Sequence, residues 1–140
     1  MSQDSESSSS DQQPGDDDNS GAPNEQATKA SLPVEVSVES VAAKIASGES
    51  ITLIDCREPW EHEIAQIAGS ELVPMVQIPG KIEAFDAQSD HALVVYCHQG
   101  VRSLQVVNFL RQRGIYHAQS MRGGIEEWST TIDPTVPRYS

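Results

Sequence analysis

Cys97 ends the apolar run Leu93-Val94-Val95-Tyr96, and His98-Gln99-Gly100-Val101-Arg102-Ser103 leads from it into a helical pattern. That order sets a thiol at the mouth of a short Gly-containing loop, beside a fixed positive charge and a helix start. Inward-turned loop amides, a guanidinium and a helix N-terminus each favour the thiolate, the nucleophilic form of cysteine. A small buried hydrophobe is the commoner fate of a free cysteine. A core position, however, has no need of Gly100 and Arg102 just beyond it, so Cys97 is read as a nucleophile. Arg102 carries a planar fork suited to an oxyanion; its plainer reading is a salt bridge to Asp55 or a surface glutamate. Gly100 lets the loop tighten, and the amides of His98, Gln99, Gly100 and Val101 are expected to hold an anion. His98 either tunes a reactant's approach or stands passive, since an ionised thiol needs no base. Ser103 is expected to begin the helix and to belong, with His98 to Val101, to the anion-binding loop.

The remaining reactive side chains are fewer. Asp55 and Arg57 follow a second apolar run and are expected to orient the structure around the loop. Cys56 ends that run and is read as buried and structural, because buried free cysteines are usually inert. His62, His91, His98 and His117 have no metal-ligand spacing, so no metal site is expected. Trp60 and Trp128 are read as packing anchors.

The elements that must position these residues are legible from periodicity. Val34-Glu35-Val36 alternates like a strand; Ser37 caps a helix with Val38, Val41, Ala42 and Ile45 on one face, and Gly48 stops it. Ile51 to Cys56 is a bounded, β-branched run of the kind buried in a parallel sheet. Pro59 suits the first turn of a short helix. Glu71-Leu72-Val73 is a weak strand, and 81–87 a faint helix. His91 to Cys97 is the strongest strand. From Ser103 a helix presents Leu104, Val107 and Leu110, with Arg111 and Arg113 in its last turn and Gly114 at its end. A short strand over 116–120, a Gly123-Gly124 turn and a helical turn with Trp128 follow. Pro134 and Pro137 mark a tail lying on the surface. Strands alternating with helices predict an α/β, three-layer domain with a mostly parallel central sheet, whose ligands sit at the carboxyl ends of strands. Asp55, Cys56 and Cys97 all fall at such ends.

Composition narrows the function. Residues 1–32 are Ser-, Asp- and Gln-rich, with seven acids against Lys29 alone, and carry half of the net charge of −12. They lack an aromatic residue and an apolar period, so they read as a disordered acidic tail ahead of a domain over 33–137. Acidic charge on both parts argues against nucleic acid and anionic membranes. No stretch approaches the roughly 20 apolar residues of a membrane span, and the start lacks the pattern of a signal peptide. Two cysteines without a C-x-x-C spacing suit a reducing cytoplasm.

Three segments in order resemble the rhodanese-like sulfurtransferases, over about Val34 to Trp128. Leu53-Ile54-Asp55-Cys56-Arg57-Glu58-Pro59-Trp60-Glu61 with Ile67-Ala68-Gly69-Ser70 is similar to the family's first signature. Val95-Tyr96-Cys97 through Ser103 is similar to its active-site loop. Met121-Arg122-Gly123-Gly124-Ile125 with Trp128 is similar to its closing element. The family commonly has Gly-His-Ile where this chain has Ala65-Gln66-Ile67; Gln66 donates hydrogen bonds but does not titrate. The resemblance implies a sulfur relay through a Cys97 persulfide, from thiosulfate or a persulfide donor to a thiol or cyanide-like acceptor, or to a protein acceptor. It implies no metal or organic cofactor, donor contacts from Arg102, and a monomer. For Arg57 it permits donor binding, although a structural role is favoured. Two other classes stay open: a phosphatase or arsenate reductase of similar fold, and a non-catalytic interaction module. Phosphatase loops of the Cys-x5-Arg type carry one residue more than the four between Cys97 and Arg102. If the tail is dispensable, a chain beginning near Ser31 keeps its melting temperature and sulfur-transfer rate; a large loss of either would place the boundary elsewhere.

Overall fold

The computed structural model of the protein describes residues 31–140. The expected disordered tail therefore lies outside the described residues, apart from Ser31 and Leu32. Leu32 is tied to the domain: its amide donates to the Tyr116 carbonyl at 3.0 Å, and its carbonyl accepts from Arg111 Nη2.

The elements run β1 (Glu35–Val36), α1 (Val38–Ala46), β2 (Ile51–Asp55), α2 (Pro59–Ile64) and β3 (Glu71–Leu72). A 3-10 helix (Met75–Lys81), α3 (Ile82–Asp86), β4 (Ala92–Tyr96), α4 (Val101–Gln112), β5 (Ala118–Met121) and α5 (Gly124–Thr131) complete the fold. The five strands form one parallel sheet in the order β1-β5-β4-β2-β3. This is the expected parallel α/β architecture.

The central strand shows why the apolar run is continuous. Ala92, Val94 and Tyr96 face one core, with Val38, Val41, Ile125 and Trp128. Leu93, Val95 and Cys97 face the other, with Val106, Val107 and Leu110. A strand covered on both faces has no polar side to show water, so period two vanishes from its sequence. β4 pairs with β2 from Ile51↔Ala92 to Asp55↔Tyr96. The next residues, Cys56 and Cys97, leave the sheet side by side at its carboxyl rim, and the Cys56 amide donates to the Tyr96 carbonyl at 3.1 Å.

Local signals placed most helix ends. Ser37 caps α1 by accepting from the Ser40 amide at 3.1 Å, and Pro59 opens α2. Two expectations need correction. Helix α4 begins at Val101, two residues before Ser103, because Gly100 takes φ 101° and reverses the chain in one step. Its buried face consequently holds Ser103, Val106, Val107 and Leu110, with Leu104 only half-buried. Trp128 is a core anchor, but Trp60 is 56% exposed, since the inward position of short α2 belongs to Glu61. The C-terminal segment lies on the surface as expected, with Pro134 and Pro137 exposed, but it is pinned there: Val136 is buried, and its carbonyl accepts from Ser129 Oγ at 2.6 Å.

Candidate active site

The loop after β4 wraps the sulfur of Cys97. The backbone amide of Gly100 donates to Sγ at 3.1 Å and that of Ser103 at 3.3 Å. Sγ lies 3.5 Å from Ser103 Oγ, which shares a 2.8 Å hydrogen bond with Ser120 Oγ from β5. The Ser103 amide is one of the helix's first-turn N–H groups, which have no partner within the helix. Placing Sγ there gives that amide an acceptor and gives the sulfur a donor aligned with the helix dipole. The earlier start of α4 is what brings Ser103 under the sulfur.

Turning amides inward leaves carbonyls facing outward, and buried carbonyls need donors. Helix α5 supplies them. The Ile125 amide donates to the Cys97 carbonyl at 2.9 Å and the Glu126 amide to the His98 carbonyl at 3.0 Å. The fit is tight: a Cβ on Gly124, at φ +61°, would stand 2.5 Å from the Cys97 carbonyl oxygen. Only glycine lets the two backbones meet there.

Two ion pairs brace the rim, one fully buried and one whose arginine is partly exposed. Arg57, fully buried, grips Asp55 through Nε to Oδ1 at 2.8 Å and Nη2 to Oδ2 at 2.6 Å, and also donates to the Ala65 carbonyl at 2.5 Å. Asp55 Oδ2 further meets His62 Nδ1 at 2.8 Å. These contacts tie the end of β2 to α2 and to the backbone that follows it. Arg102 does not point its fork at the sulfur. Its Nη1 and Nη2 donate to the two carboxylate oxygens of Glu61 at 2.7 and 2.8 Å. Glu61 is buried, so the partner is neither Asp55 nor a surface glutamate. The Arg102 hydrogen bonds hold the Glu61 carboxyl at about 2, against its burial. The guanidinium is raised above its ordinary value, chiefly by the same carboxylate.

The rest of the loop is less engaged. Gln99 and Val101 are exposed, whereas His98 is half-buried with Nε2 3.7 Å from Glu126 Oε1. Gln66 faces solvent and donates to the His62 carbonyl at 3.2 Å, so it contributes nothing to the loop. Burial, then the neighbouring Cys97, pushes the Cys56 thiol up to about 12, which keeps it protonated and inert. Among the described residues no group of three or more His, Cys, Asp or Glu side chains could hold a metal ion. No described helix is long and apolar enough to cross a membrane.

Sequence reasoning missed Glu61, His62, Ser120 and Tyr139. The Tyr139 hydroxyl accepts from Arg57 Nη1 and donates to Glu61 Oε2, both at 2.8 Å, and its ring stacks on His98 at 4.1 Å. Glu61 carried a signal within the first signature; Tyr139, 82 residues beyond Arg57, carried none.

Two outcomes follow for stability. Gly124→Ala forces a left-handed alanine against the loop and is expected to cost about 1–3 kcal/mol, read by denaturant unfolding; a change within error would show the loop yields freely. Because Glu61 titrates lower folded than unfolded, its ion pair contributes fully above the ordinary carboxylate value of 4.5 and fades as pH falls toward about 2. The stability gap between wild type and Glu61→Gln should therefore shrink across that window, and a gap independent of pH would contradict the pairing.

Comparison with known proteins agrees with this geometry. The family model for the rhodanese-like domain matches residues 37–131. A sulfurtransferase of Allochromatium vinosum is 34% identical over 102 residues, spanning 73% of this chain and 94% of its own. An adenylyltransferase and sulfurtransferase of Zea mays is 33% identical over 97 residues, 66% of this chain, but the match spans only 20% of that larger protein. The human single-domain sulfurtransferase superposes with a TM-score of 0.63 at 26% identity, over 71% of this chain and 98% of its own. With one match covering the fold from α1 to α5 and another running nearly the length of a single-domain relative, the chain belongs to the rhodanese-like domain family.

Proposed function

We propose that the protein moves a sulfane sulfur from thiosulfate or a persulfide donor to a thiophilic acceptor, with Cys97 as the carrier. The observation that carries this reading is the pair of backbone amides, Gly100 and Ser103, aimed at Sγ at 3.1 and 3.3 Å. The Cys97 thiolate attacks the outer sulfur of thiosulfate; the S–S bond breaks and sulfite leaves with the electron pair. Cys97-S-S⁻ remains. The acceptor, a thiolate or cyanide, then attacks the terminal sulfur, the new S–S bond breaks, and the Cys97 thiolate is restored. Sulfur changes hands without net loss of electrons, so the cycle needs no resident redox group. The loop amides hold the anionic sulfur by fixed dipoles, which need no reorganisation during the reaction. Arg102, clamped by Glu61, cancels that carboxylate's charge beside the loop and does not grip the donor.

That clamp weighs against the phosphatase reading. Gripping a tetrahedral oxyanion needs the arginine's paired N–H groups, and both terminal nitrogens of Arg102 are committed to Glu61. An interaction module has no use for amides converging on a sulfur. The domain over 33–137 acts in this reading as a monomer in a reducing compartment such as the cytoplasm, on small donors or a protein acceptor.

Incubation with thiosulfate followed by intact-mass measurement tests the proposal. One added sulfur atom is expected on the wild type and none on Cys97→Ser; uptake that persists in Cys97→Ser would falsify the assignment. Arg102→Ala leaves the Glu61 carboxylate without its cation beside the loop and should slow loading from the anionic thiosulfate by about tenfold or more, the scale of one uncompensated like charge near a protein surface.

A further inference from the structure

Besides the two backbone amides, a hydroxyl stands beside Cys97 Sγ. Ser103 Oγ lies 3.5 Å from the sulfur, 3.3 Å from the Gly100 carbonyl oxygen and 2.8 Å from Ser120 Oγ. A hydroxyl has one proton and two lone pairs, so the direction of that proton must be chosen. Ser120 makes the choice. It pairs in register with Val95 of β4 and lies two residues from Ala118, so it shares their side of the sheet, the one packed with Val106, Val107 and Leu110 of α4. Ser120 is fully buried among these apolar side chains, and a buried hydroxyl is costly unless it is hydrogen-bonded. Among the described residues, Ser103 Oγ is the one hydrogen-bond partner of the Ser120 side chain. The Ser120 proton therefore goes to Ser103 Oγ, and Ser103 keeps its own proton for the Gly100 carbonyl or for Sγ. Beside a neutral thiol the carbonyl takes it, and the S–H can point at Ser103 Oγ. A thiolate competes better, because a hydrogen bond to an ionised acceptor is about twice as strong as a neutral one.

We propose that the Ser103 hydroxyl, aimed by Ser120, is a further donor to the Cys97 sulfur and turns to it whenever that sulfur carries charge. Ser103 is then a catalytic residue, in contact with the reacting atom, and Ser120 a positioning residue that acts through it. The moments at which charge returns to Sγ rest on the sulfur-transfer reading. When an acceptor attacks the terminal sulfur of Cys97-S-S⁻, the S–S bond breaks and its electron pair stays on Sγ. The hydroxyl rotates to that sulfur with its proton still on oxygen, so nothing is consumed. A stabilised thiolate leaves faster, but it also attacks less well. Discharge of the persulfide therefore gains more from the hydroxyl than loading does. The ionisable groups around the loop do not perform this task. Arg102 of α4 has both terminal nitrogens on Glu61 of α2, and Cys56 at the end of β2 stays protonated. Glu126 of α5 is held by Arg138 and stands 3.7 Å from His98, and β5 carries no ionisable side chain.

The test is the pH profile of Cys97 alkylation by iodoacetamide in the full chain, resolved from Cys56 by peptide mapping. It reads the charge on the sulfur without any sulfur transfer. Ser103→Ala should move the midpoint of the profile up by about one pH unit, the scale of one hydrogen bond to a charged group. Ser120→Ala removes only the aiming partner, so its midpoint should rise less, by about 0.3 unit or more. Each substitution removes one oxygen, which leaves the packing of β5 against α4 in place. In the double variant Ser120→Ala should add nothing to Ser103→Ala, because Ser120 acts through Ser103. A wild-type midpoint in Ser103→Ala would overturn the donor, and one in Ser120→Ala would overturn its aiming. Additive shifts in the double variant would likewise show that Ser120 does not work through Ser103. Single-turnover measurements by intact mass give a second readout: both variants should slow discharge to cyanide more than loading from thiosulfate. Equal slowing of the two steps would contradict the leaving-group role. A shifted midpoint in a protein that takes up no sulfur from thiosulfate would keep the hydroxyl donor and remove the sulfur-transfer reading.

Discussion

A loop can turn its amides toward one atom only if something else accepts the consequences for its carbonyls. Here the N–H groups of Gly100 and Ser103 face the sulfur, and the carbonyls of Cys97 and His98 are driven the opposite way. Unpaired, two such carbonyls in a buried setting would cost about 1–3 kcal/mol each. The first turn of α5 arrives with amides that have no partner of their own and closes the account on both sides. Gly124 is glycine because the two backbones must touch. The loop's shape therefore depends on an element that follows it by more than 20 residues, held in place by the parallel pairing of β4 with β5.

The rim follows a second rule, that buried charge is compensated. Arg57 is neutralised by Asp55 and Arg102 by Glu61, each through two nitrogen–oxygen contacts. The site consequently offers its reactant oriented dipoles rather than a surplus of positive charge. Such a site selects by size and by the direction of N–H groups. In the proposed reading a single sulfur bonded to Sγ would satisfy it, whereas a larger tetrahedral anion would find the arginine's fork already occupied. Glu61 is the hinge of this arrangement, because it caps α2 through the Glu58 amide, holds Arg102 and receives the Tyr139 hydroxyl. Removing its carboxylate would affect the helix start, the charge balance at the rim and the Tyr139 hydrogen bond together.

Much of this was legible in the sequence, and the reasons are physical. The unbroken apolar run of β4 announced a strand buried on both faces, and its end placed Cys97 at the rim. Ser37, Pro59 and Gly48 mark helix boundaries because capping and backbone freedom are local properties. What escaped was long-range or conformational. The Arg102–Glu61 pair joins residues 41 apart, and nothing in either neighbourhood names the other. The start of α4 was misplaced because the reversal at Gly100 is a φ value, invisible as a residue pattern. Ser103, expected as the first helical residue and as part of the loop, stands inside the first turn with its amide donating to sulfur. Tyr139 sits after two prolines in a polar stretch, which composition assigns to a surface tail; only the fold shows it returning to the site.

The central claim is that the loop is already shaped for one additional sulfur. A crystal structure of the protein after loading with thiosulfate tests it most directly. The expected result is one extra sulfur bonded to Cys97 Sγ and accepting from loop amides, with the Cys97 and His98 carbonyls still bound by Ile125 and Glu126. A sulfur attached elsewhere, or a loop that must break those two hydrogen bonds to hold it, would contradict the claim.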